Sequence, residues 1–367
     1  MVLMLSDAYR RRDRDGVVGA DDVLVSIVRR VPTARELGRR LIDELNVRGS
    51  SGSPVWSPEF VAPRDDRLSF ETSAVLRESA WNARRDYDTA SRWGIEVWDA
   101  VFRALSDARS VGVTFAHVGH LLPALLAEKG NGAQQLLSRA DIKSHSLLYA
   151  IGTSKNLRDD YDLSTRLVAD LVLLGIVRTR KGSAPRALSH LLTLIRKAPD
   201  GPVLFALRRE AARQAVRLGD PHVGPEHLLV AICALHELVT ASRREFADDM
   251  VAETAGGSVL ARWGVDYETA VAAIGDGPRG RRAVAGGRRW AAERGDPPFT
   301  ADISESWGRA ADDARSSGCR RASVIHLARA VLSTEGPVTA ALRDRGINVA
   351  GLRADLVQCR CGSWSSG

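Results

Sequence analysis

Apolar residues recur at helical spacing along most of this chain and nowhere sustain the two-residue alternation of a strand, which predicts an all-α protein. Three stretches share one skeleton of small and apolar positions. They are Ala104, Ala108, Gly112, His120, Leu121, Ala124; then Ala211, Ala215, Gly219, His227, Leu228, Ala231; then Ala310, Ala314, Gly318, His326, Leu327, Ala330. The common pattern is A-x3-A-x3-G-x7-H-L-x2-A, and its spacing has a physical reading. Alanines four apart lie on one helix face and admit a close neighbour, and a glycine one turn later favours the left-handed conformation that ends a helix. The first helix of each copy is therefore expected to stop at Gly112, Gly219 and Gly318. The seven residues after the glycine carry Pro, Gly, Thr or Ser, and apolar helical spacing returns at the histidine, so a second helix starts near it. Pro225 suits such a start, where its missing N–H costs little.

A looser echo comes after each copy: Leu137-x3-Asp141-Ile142, Leu260-x3-Gly264-Val265 and Leu342-x3-Gly346-Ile347. It predicts a third short helix with a cap, then a fourth helix through "SHSLLYAI", "YETAVAAI" and "VAGLRADLV". The copy around His227 carries an insertion, "ELVTASRREFADDMVAETAGG", of the kind surface loops accept. A degraded copy opens the chain, where "DRDGVVGADDVLVSIV" matches loop and second helix with Asp22 in the histidine's place, and "ARELGRRLIDELNV" matches the end. Ser, Pro and Gly clustering marks Val47 to Asp66 as a linker, and "GDGPRGRRAVAGGRRWAAERGDPP" joins the last two copies. Two further helices, broken at Gly182 to Pro185, fill the middle. The expected organisation is a double repeat over 1–151 with a degenerate first member, a helical connector over 152–200, a second double repeat over 201–358 and a flexible tail over 359–367. One repeat cannot bury its own apolar face, which is the physical reason for duplicating it.

Composition changes this picture little. A chain of 367 residues, 44% hydrophobic and 26% charged, has the make-up of a globular protein of two or three domains. The formal charge of +7 and pI near 9.6 suit an acidic partner such as nucleic acid or a membrane surface, but the arginines are scattered and equally fit a GC-rich coding bias. Four cysteines are too few for a disulfide framework, and Cys359-x-Cys361 lacks the second pair of a zinc site. No apolar run approaches the ~18 residues that span a bilayer, so a cytoplasmic protein without membrane partner is expected.

Candidate chemistry is sparse. No G-x4-G-K-[ST] phosphate loop, G-x-S-x-G elbow or H-E-x-x-H occurs, so neither an ATPase nor any other enzyme is expected, and no cofactor or metal. His120, His227 and His326 read either as metal or catalytic groups or as structural imidazoles bonding to the preceding loop. Their recurrence at a helix start, with no carboxylate or cysteine at ligand spacing, favours structure. The arginines Arg279, Arg281, Arg282, Arg288, Arg289 and Arg294, with Trp290 to stack on a base, supply the rival class, a nucleic-acid-associated regulator; the competing reading is a solvated linker.

"FTADISESWGRAADDARSSGCRRASVIHLARAVL" from Phe299 and "RREAARQAVRLGDPHVGPEHLLVAI" from Arg208 resemble the Clp N-terminal repeat of ClpC- and ClpA-type unfoldases. The resemblance is specific in the last two copies, good in the second and weak in the first. It implies tandem four-helix repeats paired into two pseudo-twofold double-repeat domains, here without the ATPase motor. It also implies a noncatalytic binding protein for a peptide, a marked protein or a Clp-targeting cyclic peptide, acting as adaptor, competitor or protective decoy for a Clp unfoldase or protease. In phosphoarginine-binding members the residue before the histidine is a glutamate, whose carboxylate can take two N–H bonds of a guanidinium. The equivalents here are Asp21, Gly119, Glu226 and Ile325, so only Glu226 keeps it and Asp21 approximates it. A first-turn carboxylate favoured by the helix dipole is the alternative role for Glu226. Phe299 and Thr300 match the Phe-Thr that lines the family's peptide groove, and Trp93 holds the same offset in the second copy. Each aromatic reads as a peptide anchor or as a staple on its own helix.

Overall fold

The computed structural model describes residues 1–12, 16–30, 35–48, 66–84, 92–113, 116–152, 171, 174–178, 201–242, 244–275, 296–319 and 321–359. Among them every regular element is a helix, and extended pairing is confined to three isolated bridges. The chain divides into two compact units, Met1–Ser164 with Arg294–Asp296, and Thr165–Glu293 with Pro297–Gly367. No helix among the described residues is long and apolar enough to cross a membrane.

The first unit holds α1 (Val2–Arg11), α2 (Ala20–Arg30), α3 (Arg35–Arg48), α4 (Asp66–Arg84), α5 (Ile95–Ser110), α6 (Val118–Ala127), α7 (Gly132–Arg139) and α8 (Ser144–Gly152). Helix α2 is its centre: every residue from Ala20 to Val28 is buried, against α1, α3, α6 and α7. Helix α4 falls between the predicted linker and Trp93, where the sequence pattern predicts no element. Part of its buried face is written with Thr72 and Ser79, whose hydroxyls donate to their own helix at Leu68 O (2.8 Å) and Val75 O (2.7 Å). That pairing makes hydroxyl residues acceptable in a core and blurs the hydropathy pattern.

The second unit holds α9 (Gly201–Leu218), α10 (Pro225–Ala241), a 3-10 turn (Asp248–Met250), α11 (Val251–Thr254), α12 (Gly256–Arg262), α13 (Tyr267–Gly275), α14 (Ala301–Ser316), α15 (Val324–Ser333), α16 (Pro337–Asp344) and α17 (Val349–Gln358). Here α10 is central, against α9, α12, α13 and α15. The insertion is not the surface loop the sequence suggested. It folds into the 3-10 turn, α11 and the start of α12, and buries Met250, Glu253, Thr254, Gly256 and Gly257. Leu174–Arg178 runs along it: Arg178 N–H donates to Glu245 O (3.0 Å) and Ala247 N–H to Ile176 O (2.9 Å). Apart from Gly152 and Leu171, the rest of the predicted connector, including its break at Gly182 to Pro185, and the tail beyond Cys359 lie outside the described residues.

The recurring glycines explain themselves in the backbone. Gly112, Gly219 and Gly318 have φ of 69°, 76° and 72°. The N–H of the residue after each donates to the carbonyl of the second motif alanine: Val113 to Ala108 (2.8 Å), Asp220 to Ala215 (2.9 Å) and Cys319 to Ala314 (2.8 Å). This is the Schellman stop, and it fixes the A-x3-G spacing. The same closure ends the third helices, with Ile142, Val265 and Ile347 bonding back to Leu137, Leu260 and Leu342. At the first of these Asp141 takes the left-handed turn (φ 51°) where its counterparts are Gly264 and Gly346.

Arg329 on α15 ties the end of the chain's last helix into the unit. Its guanidinium donates to Leu356 O, Val357 O and Cys359 O at 2.7–3.1 Å and pairs with Asp313 at 3.0 Å. Arg329→Met keeps the apolar stem and removes these bonds, and it is expected to cost about 2 kcal/mol. Thermal unfolding of the full chain checks this through a lowered Tm.

Candidate functional site

Four helix starts, two in each unit, share one bond. The third residue of α2, α6, α10 and α15 is Asp22, His120, His227 and His326 respectively. Each accepts the N–H of the residue just before its helix: Gly19 to Asp22 Oδ2 (3.0 Å), His117 to His120 Nδ1 (3.3 Å), Gly224 to His227 Nδ1 (2.9 Å) and Ser323 to His326 Nδ1 (3.0 Å). This is the return half of a capping box, with imidazole or aspartate in place of the usual glutamate. The sequence spacing is Gly19-x-x-Asp22, His117-x-x-His120, Gly224-x-x-His227 and Ser323-x-x-His326, and the three histidines bond to the preceding loop as a structural imidazole would. An acceptor Nδ1 places the proton on Nε2. His227 points its Nε2 at Asp220 Oδ2, 3.0 Å away. His326 is fully buried, and burial lowers its pKa, which keeps the ring neutral and able to accept. At Asp22, burial and the Asp21 carboxylate raise the pKa, while Gly19 N–H and the Arg12 guanidinium (2.8 Å) oppose the rise.

The second residues of these helices, where the resemblance places a ligand carboxylate, differ in exposure. Asp21 is 0% exposed and its Oδ1 accepts Asp22 N–H. Ile325 is also buried, and its helix start lies directly under Gly256 of the insertion: a Cβ on that glycine would stand 2.8 Å from Val324 C and 2.9 Å from Ile325 N. Gly119 is exposed, and the His117 ring lies over it, 2.6 Å from where a Cβ would be, so a side chain there requires that ring to move. Glu226 alone presents a carboxylate at partial exposure. It folds back over Gly224, with Oε1 3.6 Å from His227 Nδ1 and its side chain 18% exposed.

The aromatics are positioned by a second shared device. In the second unit Val223 forms a parallel bridge with Phe299, its N–H donating to Pro298 O and its carbonyl accepting from Thr300 N–H, both at 2.9 Å. In the first unit Val18 does the same with Trp93, through Arg92 O (2.7 Å) and Gly94 N–H (2.8 Å). The outcomes diverge. Trp93 is 1% exposed and packs on Tyr9 at 5.1 Å, which makes it a core residue rather than an anchor open to a peptide. Phe299 remains partly exposed. Thr300 precedes α14 and is buried, its Oγ1 without a hydrogen-bond partner and its side chain not capping the helix. Of the sequence candidates, the structure thus brings Phe299, Thr300 and Glu226 to the two ends of one bridge, because Val223 lies three residues ahead of Glu226.

Cys233 is buried, and burial raises its thiol pKa, which leaves it unreactive. Among the described residues no group of three metal-ligating side chains is present. The arginine-rich segment with Trp290 lies outside the described residues. Comparison with models of known families, with curated proteins and with solved structures found no match.

Proposed function

We propose that this protein is a noncatalytic, Clp-N-like binding module whose second unit captures a peptide or a Clp-directed cyclic peptide at Phe299. In this reading the two units are pairs of four-helix repeats, and the ligand lies in the groove between the paired members. The observation that carries it is the Val223–Phe299 bridge, which fixes a partly exposed aromatic beside the loop that leads into Glu226. A rigid aromatic held by the backbone loses little entropy on contact and suits an anchor role. The first unit takes a different part, because its equivalent aromatic, Trp93, fills the core. Acting as adaptor, competitor or decoy for a Clp unfoldase all depend on the same capture step.

Calorimetric titration of the full chain with a Clp-N-directed cyclic peptide tests this. Binding is expected, weakened about 30-fold by Phe299→Ala, the loss typical of an aromatic hot spot. Phosphoarginine is expected to give no heat, since a mode that needs a carboxylate before both histidines of this unit finds Glu226 at one and the buried Ile325 at the other. Peptide binding that Phe299→Ala leaves intact would sink the reading, as would no binding at all.

A further inference from the structure

The first turn of α6 is held differently from its three counterparts. Two imidazoles meet there edge to face, with centroids 3.9 Å apart. His117 Nδ1 accepts Gly119 N–H at 2.9 Å, and His120 Nδ1 accepts His117 N–H at 3.3 Å. Protonating either Nδ1 turns an acceptor into a donor facing a donor. The turn is joined to the remainder of α6 through Leu121 N–H to His117 O (3.0 Å), but the next bonds of that join are incomplete. Pro123 lies inside the helix and has no N–H for the carbonyl of Gly119, and Gly119 is itself a poor helix former. After residue 120, Leu121, Leu122 and Leu125 are buried in the core.

The other starts are built differently. Asp22 keeps its acceptor oxygen beside Arg12, His227 is 1% exposed, and His326 is sealed with Ser323. We propose that residues 117–120 form an acid-released latch: the two neutral imidazoles hold the first turn of α6 closed, and protonation of either frees that turn while the rest of the helix stays folded. This inference stands whether or not Phe299 binds a peptide.

The direction is set by the surroundings. Burial first, then the His120 ring and the Met1 amine, hold His117 down to about 4; burial also lowers His120, against Asp107 of α5. A freed turn returns its imidazoles toward the ordinary ~6.5. The closed turn is therefore fully favoured above that value and is lost progressively as pH falls toward 4.

Amide hydrogen exchange on the labelled full chain tests the latch. The protection factors of Gly119 and His120 are expected to fall about tenfold from pH 7 to pH 5, less than full burial would give because solvent screens the rings. Those of Val101 and Leu125, whose helical acceptors lie outside residues 117–120, are expected to hold. In the double variant His117→Asn, His120→Asp, both caps keep a carbonyl or carboxylate acceptor and the fall should vanish. Unchanged protection in the parent, an equal fall in the core amides, or the same fall in the double variant would each overturn the proposal.

Discussion

His326→Ala is expected to destabilise the second unit by about 3 kcal/mol, through an unpaired buried donor and a cavity together. The imidazole is 0% exposed and accepts both Ser323 N–H (3.0 Å) and the Ser323 hydroxyl (2.8 Å). Alanine removes the acceptor where water has no access and leaves a void in the buried first turn of α15. His326→Asn tests whether the bond matters beyond the volume. Asp22 shows that a short side chain with one oxygen reaches the same amide at 3.0 Å. Asparagine is expected to recover about half of the loss. Chemical denaturation of the three proteins gives the order; equal losses for alanine and asparagine would reduce the histidine to a filler.

The second large effect is expected at Gly256, where Gly256→Val should cost about 3 kcal/mol and Gly256→Ala about half of that. A Cβ there meets backbone, Val324 C at 2.8 Å and Ile325 N at 2.9 Å, together with Val324 Cγ1 at 2.9 Å. Flexible side chains yield to such an intrusion; a capped helix start does not. The cap is the one His326 makes, so the two sites are coupled. Once His326→Ala has loosened the first turn of α15, Gly256→Ala is expected to cost less than in the parent, which a double-mutant cycle reads directly. Gly308 provides the control: it lies inside α14 with nothing within 4 Å of its Cβ position, and Gly308→Ala is expected to stabilise by about 1 kcal/mol.

The helical class and most helix ends were legible because they rest on short-range bonds. A-x3-G marks a stop since the alanine carbonyl receives the N–H of the residue after the glycine, and both partners lie within six residues of one another. The histidine marks a start for the same kind of reason, over three residues. Asp141 shows the limit of residue identity, since it adopts the glycine conformation without being glycine. Helix α4 was missed because hydroxyl residues contribute to its buried face, and the insertion was misjudged because a long stretch between motif positions looks the same in sequence whether it packs or hangs free.

The features legible along the chain are therefore local: where helices begin and end, which residues cap them, and that one unit of this plan recurs. Those features depend on partners three to six residues apart, which spacing records. Which equivalent positions are open depends instead on long-range packing. Trp93 and Phe299 sit on equivalent bridges, one in each unit, yet one is sealed against Tyr9 and the other is partly exposed. Glu226 and Ile325 hold the same helical position, yet Gly256 closes over only the second. Exposure is set by whichever element arrives from far along the chain to cover a face, and no local pattern encodes that arrival.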